Sequence, residues 1–138
     1  MIDAHPATQK PRRGVPGLWL PVAAYMAAVY YGATTPVMPA PVGDFFSDTV
    51  LHAGGYTVMA ILTLRATARG TRRGMTPVAM AAAFAISLLH GLSVEWIQMF
   101  VPNRFAEWRD VWNDAAGAAA GLAAAWAWGI MTGKSHDL

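Results

Sequence analysis

The chain has 138 residues, enough for one domain, of which 55% are hydrophobic and only 13% charged, with a formal net charge of +2. A soluble domain carries about 25% charged residues, so the composition points to a surface facing lipid, and so small a charge, spread over short clusters, excludes an extended nucleic-acid-binding face. The absence of cysteine excludes disulfides, thiolate metal sites and cysteine nucleophiles.

Residues 1–14 are polar and carry Lys10, Arg12 and Arg13, which reads as a disordered basic tail. An apolar stretch follows over residues 15–31, with Pro16 and Pro21 in its first turns, where a missing N–H costs least. A basic region before an apolar one also describes a signal peptide, but no small-x-small cleavage site follows, and the segment is read as an uncleaved first span. Residues 32–47 form a Pro/Gly-rich loop without Lys or Arg. A second helix is expected from Asp48 to about Leu64, with Ser47 or Asp48 as N-cap. A basic loop over 65–74 holds Arg65, Arg69, Arg72 and Arg73. A third helix is expected from about Thr76 to Phe100, ended by Pro102, and a fourth from about Asp110 to Met131. Residues 132–138 form a second polar tail.

A span needs about 20 mostly apolar residues, within a range of about 17–25, and all four candidates fall near it. Nothing alternates as a strand would. The expected fold is therefore all-α and polytopic, with four transmembrane helices over residues 15–131. Eight of the ten basic residues lie in the two tails and the second loop. By the positive-inside bias both termini are cytoplasmic, and the first and third loops face out.

Polar residues inside spans are costly and mark function. Asp48, His52 and Tyr56 are spaced to share one face of the second helix. Glu95 and Gln98 share a face of the third, extended inward by Ser87 and Gly91. Asp110, Asn113, Asp114 and Gly117 share a face of the fourth. His52, Glu95 and Asp114 should then lie in one layer near the outer leaflet, with Arg104 and Arg109 above it. Such a set can bind a metal or perform acid–base chemistry, and the arginines can hold an anion. The same layer also reads as a buried hydrogen-bond network that fixes helix packing. Other features have plain structural explanations. His90 reads as a packing or water-contacting residue, and Gly117 and Gly121 as a close helix approach within the chain. Trp96, Trp108, Trp112, Trp126 and Trp128 read as aromatic belts, and the second-loop arginines as topology determinants.

These residues resemble the VanZ-like family of bacterial membrane proteins. The pattern is carried by Asp48, His52 and Tyr56; by Glu95, Gln98, Val101, Pro102 and Arg104; and by Asp110, Gly117 and Gly121, in that order over about residues 44–125. The chain departs from it at Thr49, where the family often has Lys, at Asn103 in place of Gly, and at Asp114 in place of Asn, with Asn113 adjacent. The resemblance implies a four-helix membrane fold and a link to low-level resistance against glycopeptides with lipid tails, such as teicoplanin.

Two functions are compatible with the sequence. One is an envelope protein that binds or processes an anionic lipid or lipid-linked envelope precursor at the outer face. Its catalytic or metal-ligating candidates are His52, Glu95 and Asp114. Its binding candidates are Asp48, Tyr56, Gln98, Arg104, Arg109, Asp110 and Asn113. The other is a scaffold or antibiotic-exclusion factor whose polar layer is structural. A transporter would be expected to show an inverted repeat, and none is visible. No cofactor, metal or protein partner is named by the sequence.

Overall fold

The computed structural model describes residues 15–35 and 47–133. The expected tails at 1–14 and 134–138 and most of the first loop lie outside the described residues. The described residues form four α-helices and no strand: α1 (Val15–Thr34), α2 (Asp48–Thr67), α3 (Pro77–Gln98) and α4 (Trp108–Gly133), with a short 3-10 turn (Arg72–Gly74) before α3.

Local chemistry sets the boundaries. Ser47 caps α2 by accepting from the Val50 N–H, and Thr76 caps α3 by accepting from the Ala79 N–H at 3.1 Å, with Pro77 at the first helical position. α2 runs to Thr67, three residues past the expected end. It stops where Arg69 and Gly70 take positive φ (54° and 68°) and the Gly70 N–H returns to the Arg65 carbonyl at 2.8 Å. α1 also continues three residues further, to Thr34. The Thr34 and Thr35 hydroxyls there donate to the Tyr30 and Tyr31 carbonyls that a helix end leaves free. Pro21 lies inside α1 rather than in its first turn and removes one ladder donor. α4 begins two residues early, at Trp108, because the Glu95 carboxylate satisfies a donor just ahead of it.

α2 is the central helix. It packs along α4 for most of its length and also against α3 and α1. The α2–α4 seam is built on glycine: a Cβ at Gly117 would collide with the Ala53 carbonyl, and one at Gly121 would sit 2.5 Å from the Thr57 carbonyl oxygen. The Thr57 hydroxyl crosses the seam, donating to the Gly117 carbonyl at 2.9 Å. An apolar cluster of Ala60, Leu64, Ala83, Ala118 and Leu122 closes one end of the bundle. At the other end most of the buried side chains are polar, among them His90, Glu95, Gln98, Asp110 and Asp114.

α3, with 22 residues and a mean hydropathy of 1.7, is long and apolar enough to cross a membrane, and among the described helices it alone meets that measure. The others miss it for an identifiable reason. α2 carries Asp48, His52 and Arg65, α4 opens on Arg109, Asp110, Asn113 and Asp114, and α1 carries Pro16, Pro21 and three tyrosines, all of which lower the mean.

Candidate functional site

Four side chains form the centre. His52 leaves α2 one turn after its start, and its Nδ1 lies 2.8 Å from Asp114 Oδ1 on α4. An ionised carboxylate can only accept, so Nδ1 carries the proton in this bond, and Nε2 faces the other way. There Nε2 stands 3.7 Å from Asp110 Oδ2. Glu95 comes from α3. Its Oε2 accepts from the Glu107 N–H at 2.9 Å, just ahead of α4, where a carboxylate also meets the favourable end of the helix dipole.

The carboxylates are buried: Asp114 is 1% exposed, Glu95 6% and Asp110 9%. One oxygen of each, Glu95 Oε1, Asp110 Oδ1 and Asp114 Oδ2, is buried with no hydrogen-bond partner. Gly91 makes the room for Asp114, since a Cβ at that position would lie 2.6 Å from Asp114 Oδ2.

A second polar group lies beside this centre. The Tyr56 hydroxyl and His90 Nδ1 are 2.9 Å apart and buried. The Tyr30 ring meets His90 edge-on, its hydroxyl pairs with that of Ser93, and the Tyr25 hydroxyl donates to the Gly55 carbonyl at 3.0 Å. These contacts tie α1, α2 and α3 together.

The centre opens on a cavity of about 420 Å³ whose wall includes Asp48, His52, Tyr56, Gln98, Arg104 and Asp110. Beside it runs an apolar groove formed by Leu92, Trp96, Met99, Phe105, Trp108 and Val111, with Glu95 in its wall. Arg104, Phe105 and Glu107 border both. Arg104 Nη2 donates to the Thr35 carbonyl at 3.0 Å and to the Gly32 carbonyl at 3.4 Å, so part of the guanidinium caps the end of α1. Its Nε is buried without a partner.

Four of the sequence candidates fall outside the cavity wall: Glu95, which lines the groove, and Asp114, Arg109 and Asn113. Arg109 is paired with Glu107 at 3.1 Å and largely exposed. Asn113 is half-buried beside Asp114. Conversely, the sequence reading passed over Tyr25, Tyr30, Ser93 and Glu107, and gave His90 a packing role where the structure gives it a buried hydrogen bond. Helical spacing puts Tyr30 and Ser93 on no recognised polar face, so no periodic signal marks them.

A family model described as VanZ/LLP1 matches residues 22–130. The chain belongs to the VanZ/LLP1 family. No curated protein and no solved structure matches it. The match runs from within the first helix to within the last, and the structure accounts for one departure from the VanZ-like pattern. Asn103, where that pattern has Gly, takes a positive φ of 62°, a conformation that Asn tolerates better than most residues.

Proposed function

We propose that this VanZ-family protein crosses the cytoplasmic membrane four times and binds or processes the anionic head group of a lipid or lipid-linked envelope precursor at the outer face. One observation carries the reading. A polar cavity and an apolar groove share a wall at Arg104, Phe105 and Glu107, so an amphipathic ligand can place its head in one and a chain in the other.

Three features support the membrane setting. The polarity is inverted, with Ser87, His90, Glu95, Gln98 and Asp114 buried while Leu89, Trp96, Phe100, Trp108 and Trp112 are exposed. At 1.5 Å rise per residue, Trp108 and Trp128 stand about 30 Å apart along α4, near the thickness of the hydrocarbon core. The bias of basic residues supports an outward-facing cavity. A head-group site beside a chain groove in the outer leaflet also suits the family's link with resistance to lipid-tailed glycopeptides such as teicoplanin.

The bonds between Tyr56 and His90 and between His52 and Asp114 favour a second reading, a scaffold whose polar layer holds the helices in register. The unpartnered oxygens of Glu95, Asp110 and Asp114 weigh against it, because a purely structural network satisfies its members.

The test is the lipid that co-purifies in mild detergent. The parent should retain a phosphate-bearing lipid in near-equimolar amount by mass spectrometry. Glu95→Gln and Arg104→Lys should lose it while still unfolding cooperatively on heating. Lys can still donate to the Thr35 carbonyl, but it lacks the planar fork that grips an anion. Stable variants with the parent's lipid content would leave the scaffold reading standing.

A further inference from the structure

We propose that His52, Glu95 and Asp110 form a divalent-cation site, and that Asp114 is the positioning residue that orients His52 toward it. The inference goes beyond the head-group reading and stands on its own geometry.

One nitrogen of His52 and one oxygen each of Glu95 and Asp110, supplied by three different helices, all lie within 4.8 Å of one another. The 3.7 Å between His52 Nε2 and Asp110 Oδ2 is too long for a hydrogen bond, which needs about 2.7–3.2 Å. It is close to the separation of two ligands on one metal. Donors at about 2.0–2.2 Å from a tetrahedral ion stand roughly 3.3–3.6 Å apart.

Two further observations point the same way. Glu95 Oε1, on a residue only 6% exposed, is buried without a partner, and so is Asp110 Oδ1. Native interiors rarely leave such oxygens unsatisfied, and a cation satisfies both. His52 Nδ1 is also held by Asp114 at 2.8 Å, leaving Nε2 as the free donor. A carboxylate behind a histidine in this way fixes the ring and its tautomer and raises its basicity toward a metal. The sequence spacing alone put Asp110 and Asp114 on the same face. The contacts divide their roles, with Asp110 beside Nε2 and Asp114 behind Nδ1.

One imidazole and two carboxylates suit zinc or manganese. Calcium takes six to eight oxygens, and magnesium keeps most of its water. Because His52 and Asp110 line the cavity, the remaining coordination positions face it. Carboxylates border that cavity on several sides, so a dication there supplies positive charge toward an incoming phosphate or carboxylate that Arg104 alone does not.

The full chain, purified in detergent and stripped with a chelator, is titrated calorimetrically with zinc chloride and separately with manganese chloride, with no lipid added. One equivalent should bind and raise the melting temperature. Glu95→Gln and Asp110→Asn should each lower affinity at least ten-fold. Asp114→Asn, which keeps the shape but weakens the grip on His52, should lower it about 10–100-fold. Arg73→Gln, an exposed charge in the loop before α3 and away from the cavity, should leave it unchanged. Melting in chelator separates lost binding from lost folding.

The proposal is overturned if no saturable binding occurs, or if binding survives Glu95→Gln and Asp110→Asn, which would place the ion on His5 or His136 in the tails. A parent that retains lipid but takes up no metal removes the cation site and leaves the head-group reading. A parent that binds metal at the cluster but carries no lipid does the reverse.

Discussion

His52 on α2 and Asp114 on α4, 62 positions apart, meet at 2.8 Å in a pocket that exists because residue 91 of α3 has no side chain. The hydrogen bond and the glycine are one design, since Asp114 fills the space that a Cβ at Gly91 would take. Gly91→Ala should therefore push the carboxylate off His52 and destabilise the bundle by about 1–3 kcal/mol, the usual cost of overpacking. In an Asp114→Ala background the same change meets only the Tyr56 ring, at an ordinary 3.4 Å, and should be nearly neutral. Unfolding in detergent measures this as a double-mutant cycle. Additive effects of the two substitutions would mean that Gly91 and Asp114 do not share the pocket.

Much of this centre was legible in the sequence, for a simple reason. Helical periodicity fixes which residues share a face, and loop lengths fix which helix ends meet. Asp48, His52 and Tyr56 on one helix, Glu95 and Gln98 on the next, and Asp110 and Asp114 on the last could be assigned to one layer on those grounds alone. The rotation of each helix about its axis could not, and that rotation decides individual contacts. The bond from Tyr56 to His90 depends on it, as does the division of roles between Asp110 and Asp114.

Contacts made by irregular segments were hidden as well. Glu95 accepts from the Glu107 N–H, and Arg104 caps the end of α1, only because the turn after Pro102 follows a particular path. Periodicity carries no information about such a path. The helix ends at Thr34, Thr67 and Trp108 were missed for a related reason. Hydroxyl caps, a positive-φ pair and a carboxylate from another helix set those ends, rather than the end of an apolar run.

The glycine seam between α2 and α4 makes a separate stability prediction. A Cβ at Gly117 or Gly121 meets backbone atoms of Ala53 or Thr57, which cannot swing aside as a flexible side chain can. Gly117→Ala and Gly121→Ala should each cost about 1–3 kcal/mol. Gly54→Ala, where nothing lies within 4 Å, should be tolerated and slightly favoured by helix propensity. Thr57→Val removes the hydroxyl bonded to the Gly117 carbonyl and should cost about 1 kcal/mol. Thermal unfolding in detergent orders the four variants, and a Gly117→Ala protein as stable as Gly54→Ala would show that the two helices do not approach so closely.

The membrane setting has its own test, made clean by the absence of cysteine from the chain. A single introduced thiol can be probed with a water-soluble, membrane-impermeant maleimide, which reacts only with thiols that reach water. The four-span orientation expects Gly43→Cys, in the first loop, to be labelled in intact cells. Thr71→Cys, in the basic second loop, should be labelled only after permeabilisation. Leu89→Cys is the discriminating position. Leu89 is 65% exposed on the outward face of α3, roughly 18 Å from the start of that helix at 1.5 Å rise per residue. If lipid covers this face, a thiol there is open on the protein yet shielded from water, and it should stay unlabelled until detergent is added. If the helix stands in water, the thiol reacts in permeabilised cells as fast as the one at Thr71→Cys. The two cases differ by far more than the spread of thiol reactivities at exposed sites, because in one of them the reagent is excluded altogether. Rapid labelling at position 89 would remove α3 from the bilayer, and with it the four-span reading and the outer-face site.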